Sequence, residues 1–123
     1  MAKNNSQTTH EMKLVDPWFS NMERGLKTLE LRLYDDKRKM LKPGDQITFR
    51  KFPALDRSCV MEVTGLLHYA TFEELLNDVN ISWLAYEDKD RPWLLNAMYD
   101  IYTREDEAEY GVLGIRLKKP DAL

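Results

Sequence analysis

Lys27, Thr28, Glu30 and Arg32 crowd into the run Gly25-Leu26-Lys27-Thr28-Leu29-Glu30-Leu31-Arg32. An ammonium, a hydroxyl, a carboxylate and a guanidinium at this spacing could all offer charge-assisted hydrogen bonds to one small polar ligand. From Thr28 onward the run alternates. Leu29, Leu31 and Leu33 fall on one face of a strand, and Thr28, Glu30 and Arg32 on the other. Alternate residues of a strand lie roughly 6.5–7 Å apart, so these groups can reach one small ligand. The plainer alternative is an exposed Glu30–Arg32 pair on a sheet surface, contributing under about 1 kcal/mol. Strand phase groups Lys27 with the leucines, which places it at the strand mouth rather than in the core.

A helix and a turn are expected to aim this strand. Asp16-Pro17-Trp18-Phe19 reads as a helix start, with Asp16 as N-cap and Pro17 at the first helical position. Gly25 reads as the left-handed stop. Downstream, Pro43-Gly44-Asp45 signals a turn into a strand over 46–51, with Ile47 and Phe49 on one face. Residues 52–57 read as a loop. A long strand follows from Cys59 to Tyr69, with Gly65 marking a bulge or bend. Thr71-Phe72-Glu73-Glu74 is a capping box opening a helix, and a second helix is expected from Arg91 to Tyr102 with Pro92 in its first turn. The run from Glu105 to Glu109 reads as a loop or one helical turn, and Tyr110 to Leu117 as the closing strand. Strands before and after helices without regular βαβ alternation indicate an α+β domain.

Composition narrows the classes. A chain of 123 residues, 43% hydrophobic and 32% charged, is the size of one soluble globular domain. Residues 1–10 are polar and aperiodic and read as a disordered tail, leaving 11–123 as the single domain. No apolar run approaches the roughly 20 residues of a membrane span, and no secretory leader is legible. One cysteine excludes an internal disulfide and fits a cytoplasmic setting. His10, Cys59 and His68 lack zinc spacing, so neither a metal nor another cofactor is expected. Net charge is only −3, yet residues 24–51 carry nine Lys/Arg against four Asp/Glu, while residues 73–109 carry eleven acids against three bases. A basic surface beside the polar strand suits phosphate attraction. The acidic half argues against indiscriminate binding to long nucleic acid, and solvated charged faces are the ordinary alternative for both runs.

The pattern Gly25-x-Lys27-x-x-Glu30-x-Arg32 resembles the signature of the ASCH domain family, relatives of the PUA RNA-binding fold. Three further stretches match in order: Met12-Lys13-Leu14, the run from Leu41 to Ile47 through Pro43-Gly44-Asp45, and Glu109 to Ile115 with Gly111 and Gly114. The resemblance implies a small, partly closed β-barrel with helices at its rim and a cleft beside the signature strand. It implies RNA or a nucleotide-like ligand held by Lys27, Thr28, Glu30 and Arg32, with Tyr34 and Tyr110 bordering the cleft as stacking platforms. Trp18, Trp83 and Trp93 are more often core anchors. Cys59 is expected to be a buried thiol, and His68 a solvated side chain.

An enzymatic alternative comes from the same resemblance. Some small bacterial proteins of this fold are amidohydrolases that deacetylate acetylcytidine, and others of the family are reported as ribonucleases. Their lysine falls on Lys27 and their acid on Glu87, counted back from Asp100-Ile101-Tyr102, whereas their nucleophilic threonine falls on Glu30. A carboxylate does not replace a hydroxyl in acyl transfer. Its charge also favours the ammonium form of Lys27, the wrong direction for a base. If the chain is an enzyme, Lys27, Glu30 and Glu87 are its catalytic candidates. A third possibility is an adaptor working through the acidic face.

Overall fold

A computed structural model describes residues 8–86 and 88–121. Five strands form one curled sheet: β1 (Thr9–Leu14), β2 (Leu29–Leu33), β3 (Gln46–Lys51), β4 (Ser58–Tyr69) and β5 (Val112–Lys118). Their spatial order is β1-β3-β4-β5-β2, with β1 parallel to β3 and every other pair antiparallel. The helices are α1 (Trp18–Glu23), α2 (Phe72–Asp78), α3 (Arg91–Ile101) and α4 (Arg104–Tyr110), with short 3₁₀ turns at Arg38–Met40 and Ile81–Leu84. This is the α+β, barrel-like architecture expected.

The alternation of β5 divides the core. Leu113, Ile115 and Leu117 point into the curl, against Met12, Phe19, Ile47, Phe49, Met61 and Val63. The opposite face carries Val112 and Gly114 toward α2 and α3, where Leu29, Leu31 and Leu33 of β2 join Phe72, Leu75, Leu76, Leu94 and Met98. Gly114 lets these layers close: a Cβ there would lie 3.2 Å from Leu75 Cδ1 and 3.3 Å from Leu29 Cδ1. The expected irregularity in β4 is a register shift between Val63 and Gly65. It changes strand phase, so Leu66 joins the inner cluster while Leu67 and Tyr69 face the helices.

Several boundaries differ from expectation. β1 begins at Thr9, so Thr9 and His10 belong to the sheet instead of a tail; residues 1–7 lie outside the described residues. The cause is Asp45, buried below the strand, which accepts a hydrogen bond from Thr8 N at 3.2 Å and meets His10 Nε2 at 2.9 Å. Helix α1 starts one residue late: Pro17 is the cap, and Asp16 reaches forward to accept from Ser20 N (2.9 Å) and Ser20 Oγ (2.7 Å). Gly25 is the left-handed stop, with φ +82°. The acidic run forms a true helix, α4, capped by Thr103 accepting from Asp106 N, with Glu105, Asp106 and Glu107 in its first turn complementing the helix dipole. Cys59 is only partly buried, at the edge of the inner cluster, where burial pushes its thiol pKa up.

The ends of the sheet position the site. β1 and β2 are the two edge strands of the curl, and side chains link them where backbone pairing does not. Arg32 Nη2 donates to Lys13 O at 2.7 Å, and Lys37 Nζ to Glu11 O at 2.9 Å. Glu11 and Lys13 are alternate residues of β1, so their carbonyls point the same way along one edge.

Candidate ligand-binding cleft

At this seam lies a cleft of about 250 Å³. Leu14, Val15 and Trp18, following β1, form one wall; Leu84 and the Leu94, Met98 and Ile101 side of α3 form the other. The floor is polar: Lys27, Glu30 and Arg32, with Tyr102 at the end of α3.

Glu30 is the centre of the floor. Lys27 Nζ stands 3.2 Å from its Oε1, and Arg32 Nε donates to its Oε2 at 2.6 Å. Lys27 also donates to Leu29 O at 2.5 Å. Lys27 is 1% exposed and Glu30 5%, so the exposed sheet pair is not observed, and Lys27, expected at the strand mouth rather than in the core, is fully buried. Strand phase misplaced Lys27 because it precedes β2. Its backbone N–H still bonds Asn21 O of the helix stop (3.1 Å), and Thr28 N–H turns to Trp83 O (2.9 Å) before the ladder begins.

Burial controls the electrostatics. It pushes Lys27 below the ordinary lysine pKa, against the pull of Glu30, with the Arg32 charge adding to the fall. The sequence-based expectation that Glu30 would dominate and favour the ammonium is thereby corrected. Burial also acts to raise Glu30, but Arg32 and Lys27 outweigh it and hold the carboxyl below its usual range. Tyr102 is pushed up by burial, within the fields of Arg32 and Glu30. Its ring is stacked on Phe72, with centroids 5.4 Å apart.

Of the other sequence candidates, Thr28, Tyr34 and Tyr110 are not gathered here. Thr28 does not line the cleft; its backbone is spent on Trp83 and Leu117. Tyr34 sits past the far end of β2, its N–H on Gly111 O and its ring 4.1 Å from the His68 ring, which gives His68 a partner that was not expected. Tyr110 packs against the helix-side core. Neither tyrosine borders the cleft. Glu87 lies outside the described residues. The basic cluster is partly spent internally, with Arg38 on Asp35 (3.0 Å), Lys39 near Asp36 (3.9 Å) and Lys37 on the β1 edge. Tyr102 and the apolar wall of α3 were missed as site residues, because nothing local distinguishes their helical spacing from ordinary core. Trp18 does line the cleft, and its ring meets Tyr86 edge-on at 5.5 Å. No group of His, Cys, Asp and Glu among the described residues is arranged to hold a metal ion.

A five-stranded curled half-barrel with helices at its rim and a charged cleft at the seam defines a PUA-like domain. The chain belongs to the ASCH domain family, whose pattern it matches over residues 12–121; the family is suggested to bind RNA. Among solved structures it is similar to the hypothetical protein PH0355, at 30% identity over 90% of this chain and 98% of that one, with a TM-score of 0.79. Protein PF0455 from Pyrococcus furiosus is 26% identical over 94% of this chain and all of its own, with a TM-score of 0.72. An ASCH domain from Lactobacillus crispatus shares the fold at 16% identity over 90% of this chain and 79% of that one, with a TM-score of 0.61. None of the curated proteins compared with the chain matches it. No helix among the described residues is long and apolar enough to cross a membrane.

Proposed function

We propose that the cleft binds RNA or a nucleotide-like ligand through Lys27, Glu30 and Arg32. The observation that carries this reading is a buried, ion-paired charged triad flooring a cleft whose walls are apolar and include Trp18. Apolar walls take a planar ring, and a few convergent polar groups orient it. At about 250 Å³ the volume lies below the range typical of drug-sized ligands, roughly 300–1,000 Å³. That suits one nucleotide unit better than a longer stretch. The test is equilibrium binding of short single-stranded RNA and mononucleotides. Lys27→Met is expected to weaken binding about tenfold or more, as loss of a charge-assisted bond does. Unchanged affinity for every ligand the parent binds would remove Lys27 from the site.

One observation favours a second reading, hydrolysis of an acylated nucleoside: burial lowers Lys27, the direction a lysine base needs. Two others weigh against it. Glu30 is a carboxylate where the related amidohydrolases carry threonine, and its ion pairs keep it a weak base. The nearby hydroxyl of Thr28 does not line the cleft. Incubation with acetylcytidine is expected to release no acetate. Robust turnover abolished by Glu30→Gln would reverse the preference.

A further inference from the structure

Among the described residues the floor of the cleft carries two basic side chains and one carboxylate. Lys27 and Arg32 both bond Glu30, Asp35 is engaged by Arg38, and the remaining charged lining residue, Lys13, is basic. Buried charges are tolerated when neutralised, and with Lys27 protonated the described residues leave this cluster one negative charge short. Donors also remain. Lys27 uses two of its three N–H bonds, on Leu29 O and Glu30. Arg32 uses Nε and Nη2, and its Nη1 has no hydrogen bond among the described residues. The Tyr102 hydroxyl, in the same cleft and ring-locked on Phe72, has none either. Both oxygens of Glu30, the one acidic side chain lining the cleft among the described residues, are already engaged.

We infer that this floor is an oxyanion seat, which takes a phosphate group from Lys27, Arg32 and Tyr102 donors while the attached ring lies between Trp18 and the α3 wall. The inference rests on the nucleotide reading and fixes its orientation: phosphate against the floor, base toward the mouth. The phosphate could be a terminal monoester or the diester of an RNA chain, and both present the same oxygens. Because the seat is short of negative charge and Lys27 is buried beside Arg32, an arriving oxyanion stabilises the Lys27 ammonium. Binding should therefore draw a proton from solution. Among the described residues, Glu30 and Arg32 of β2 act directly on Lys27, while Tyr102 after α3 and Lys13 of β1 line the same cleft, the Lys13 ammonium lying over the Phe52 ring.

The experiment is calorimetric titration of the full chain at several pH values up to about 10, the range over which a depressed Lys27 loses its proton, in two buffers of different ionisation enthalpy at each. The probes are adenosine, adenosine 5′-monophosphate, the dinucleotide ApA and inorganic phosphate. Adenosine 5′-monophosphate is expected to bind at least tenfold tighter than adenosine, with proton uptake, and ApA shows whether a diester suffices. Lys27→Met should abolish the uptake and the preference. Tyr102→Phe, which retains the stacked ring, should cost roughly tenfold or more for the phosphorylated probe only, as loss of a hydrogen bond to a charged group does. Adenosine binding as tightly as its monophosphate, without uptake, would overturn the seat and leave the nucleotide reading standing. Phosphate binding with uptake but no nucleotide binding would do the reverse. If no probe binds the parent but Glu87→Gln binds phosphate, the seat is already filled by a carboxylate of the chain, and the inference is wrong. If no probe binds either protein, both readings fall.

Discussion

Lys27, Glu30 and Arg32 are not equivalent, although they form one cluster. Removing Glu30 strands two buried cations; Glu30→Ala is expected to cost about 3–5 kcal/mol, the usual consequence of breaking a buried ion pair from one side. Removing Lys27 takes away the surplus cation and leaves Glu30 with Arg32 at 2.6 Å. Lys27→Met, which keeps most of the volume, should therefore change stability by no more than about 1 kcal/mol. Urea unfolding of both variants checks the asymmetry, and equal losses would show that the triad is not one charge short. The identities of these residues were legible because a strand writes its faces into alternate positions. The burial of Lys27 was not, since its phase is set by the helix stop at Gly25 and Asn21. Nor could Trp18 or Tyr102 be assigned by local pattern, as chain folding alone brings them to the floor from either side.

Glu107 shows at the scale of elements why the acidic run was misread. Four acids in five residues look like solvated surface, and Glu105, Asp106 and Glu109 are indeed exposed. Glu107 is 5% exposed instead. Its Oε2 accepts Phe72 N–H, at the start of α2, at 2.8 Å, and its oxygens accept the Tyr99 hydroxyl of α3 at 2.8 and 2.9 Å. One carboxylate thus fastens α4 to both helices that back β2. Burial, then its hydrogen bond to Glu107, pushes the Tyr99 phenol up to about 12. Glu107→Ala leaves a buried N–H and a hydroxyl unpartnered, and is expected to cost about 2 kcal/mol or more. It should also bring the Tyr99 phenol down toward the ordinary tyrosine value, which absorbance titration of tyrosinate can follow. Glu105→Gln with Asp106→Asn should do neither. Strands, capping box and β4 bulge were readable since each rests on local backbone chemistry. The clamp rests on contacts 8 and 35 residues away, which no local period encodes.

The charged cleft gives the whole molecule an unusual dependence of stability on pH. At the acid end Glu30 and Asp45 both sit below ordinary carboxyl values: burial opposes this, but Arg32 and Lys27 overcome it for Glu30, and His10 and two backbone N–H bonds for Asp45. Their stabilisation is complete above the unfolded carboxyl values near 4 and is lost as pH falls through the folded ones. Lys27 acts at the other end. Its folded pKa is depressed, so between that value and the ordinary lysine value of 10.5 the unfolded chain binds the proton that the folded chain has released. Stability must then rise with pH, by at most about 1.4 kcal/mol per unit for one proton. Tyr99 reverses the trend above pH 10, because the folded protein keeps a phenol proton up to about 12 that the unfolded chain loses. The unfolding midpoint in urea is therefore expected to climb with pH on the approach to about 10 and to fall beyond it. In Lys27→Met the climb should disappear while the alkaline fall persists. A parent protein with a flat profile below about pH 10, or a variant that climbs as steeply, would mean that burial does not depress Lys27, and no proton would be taken up when an oxyanion binds.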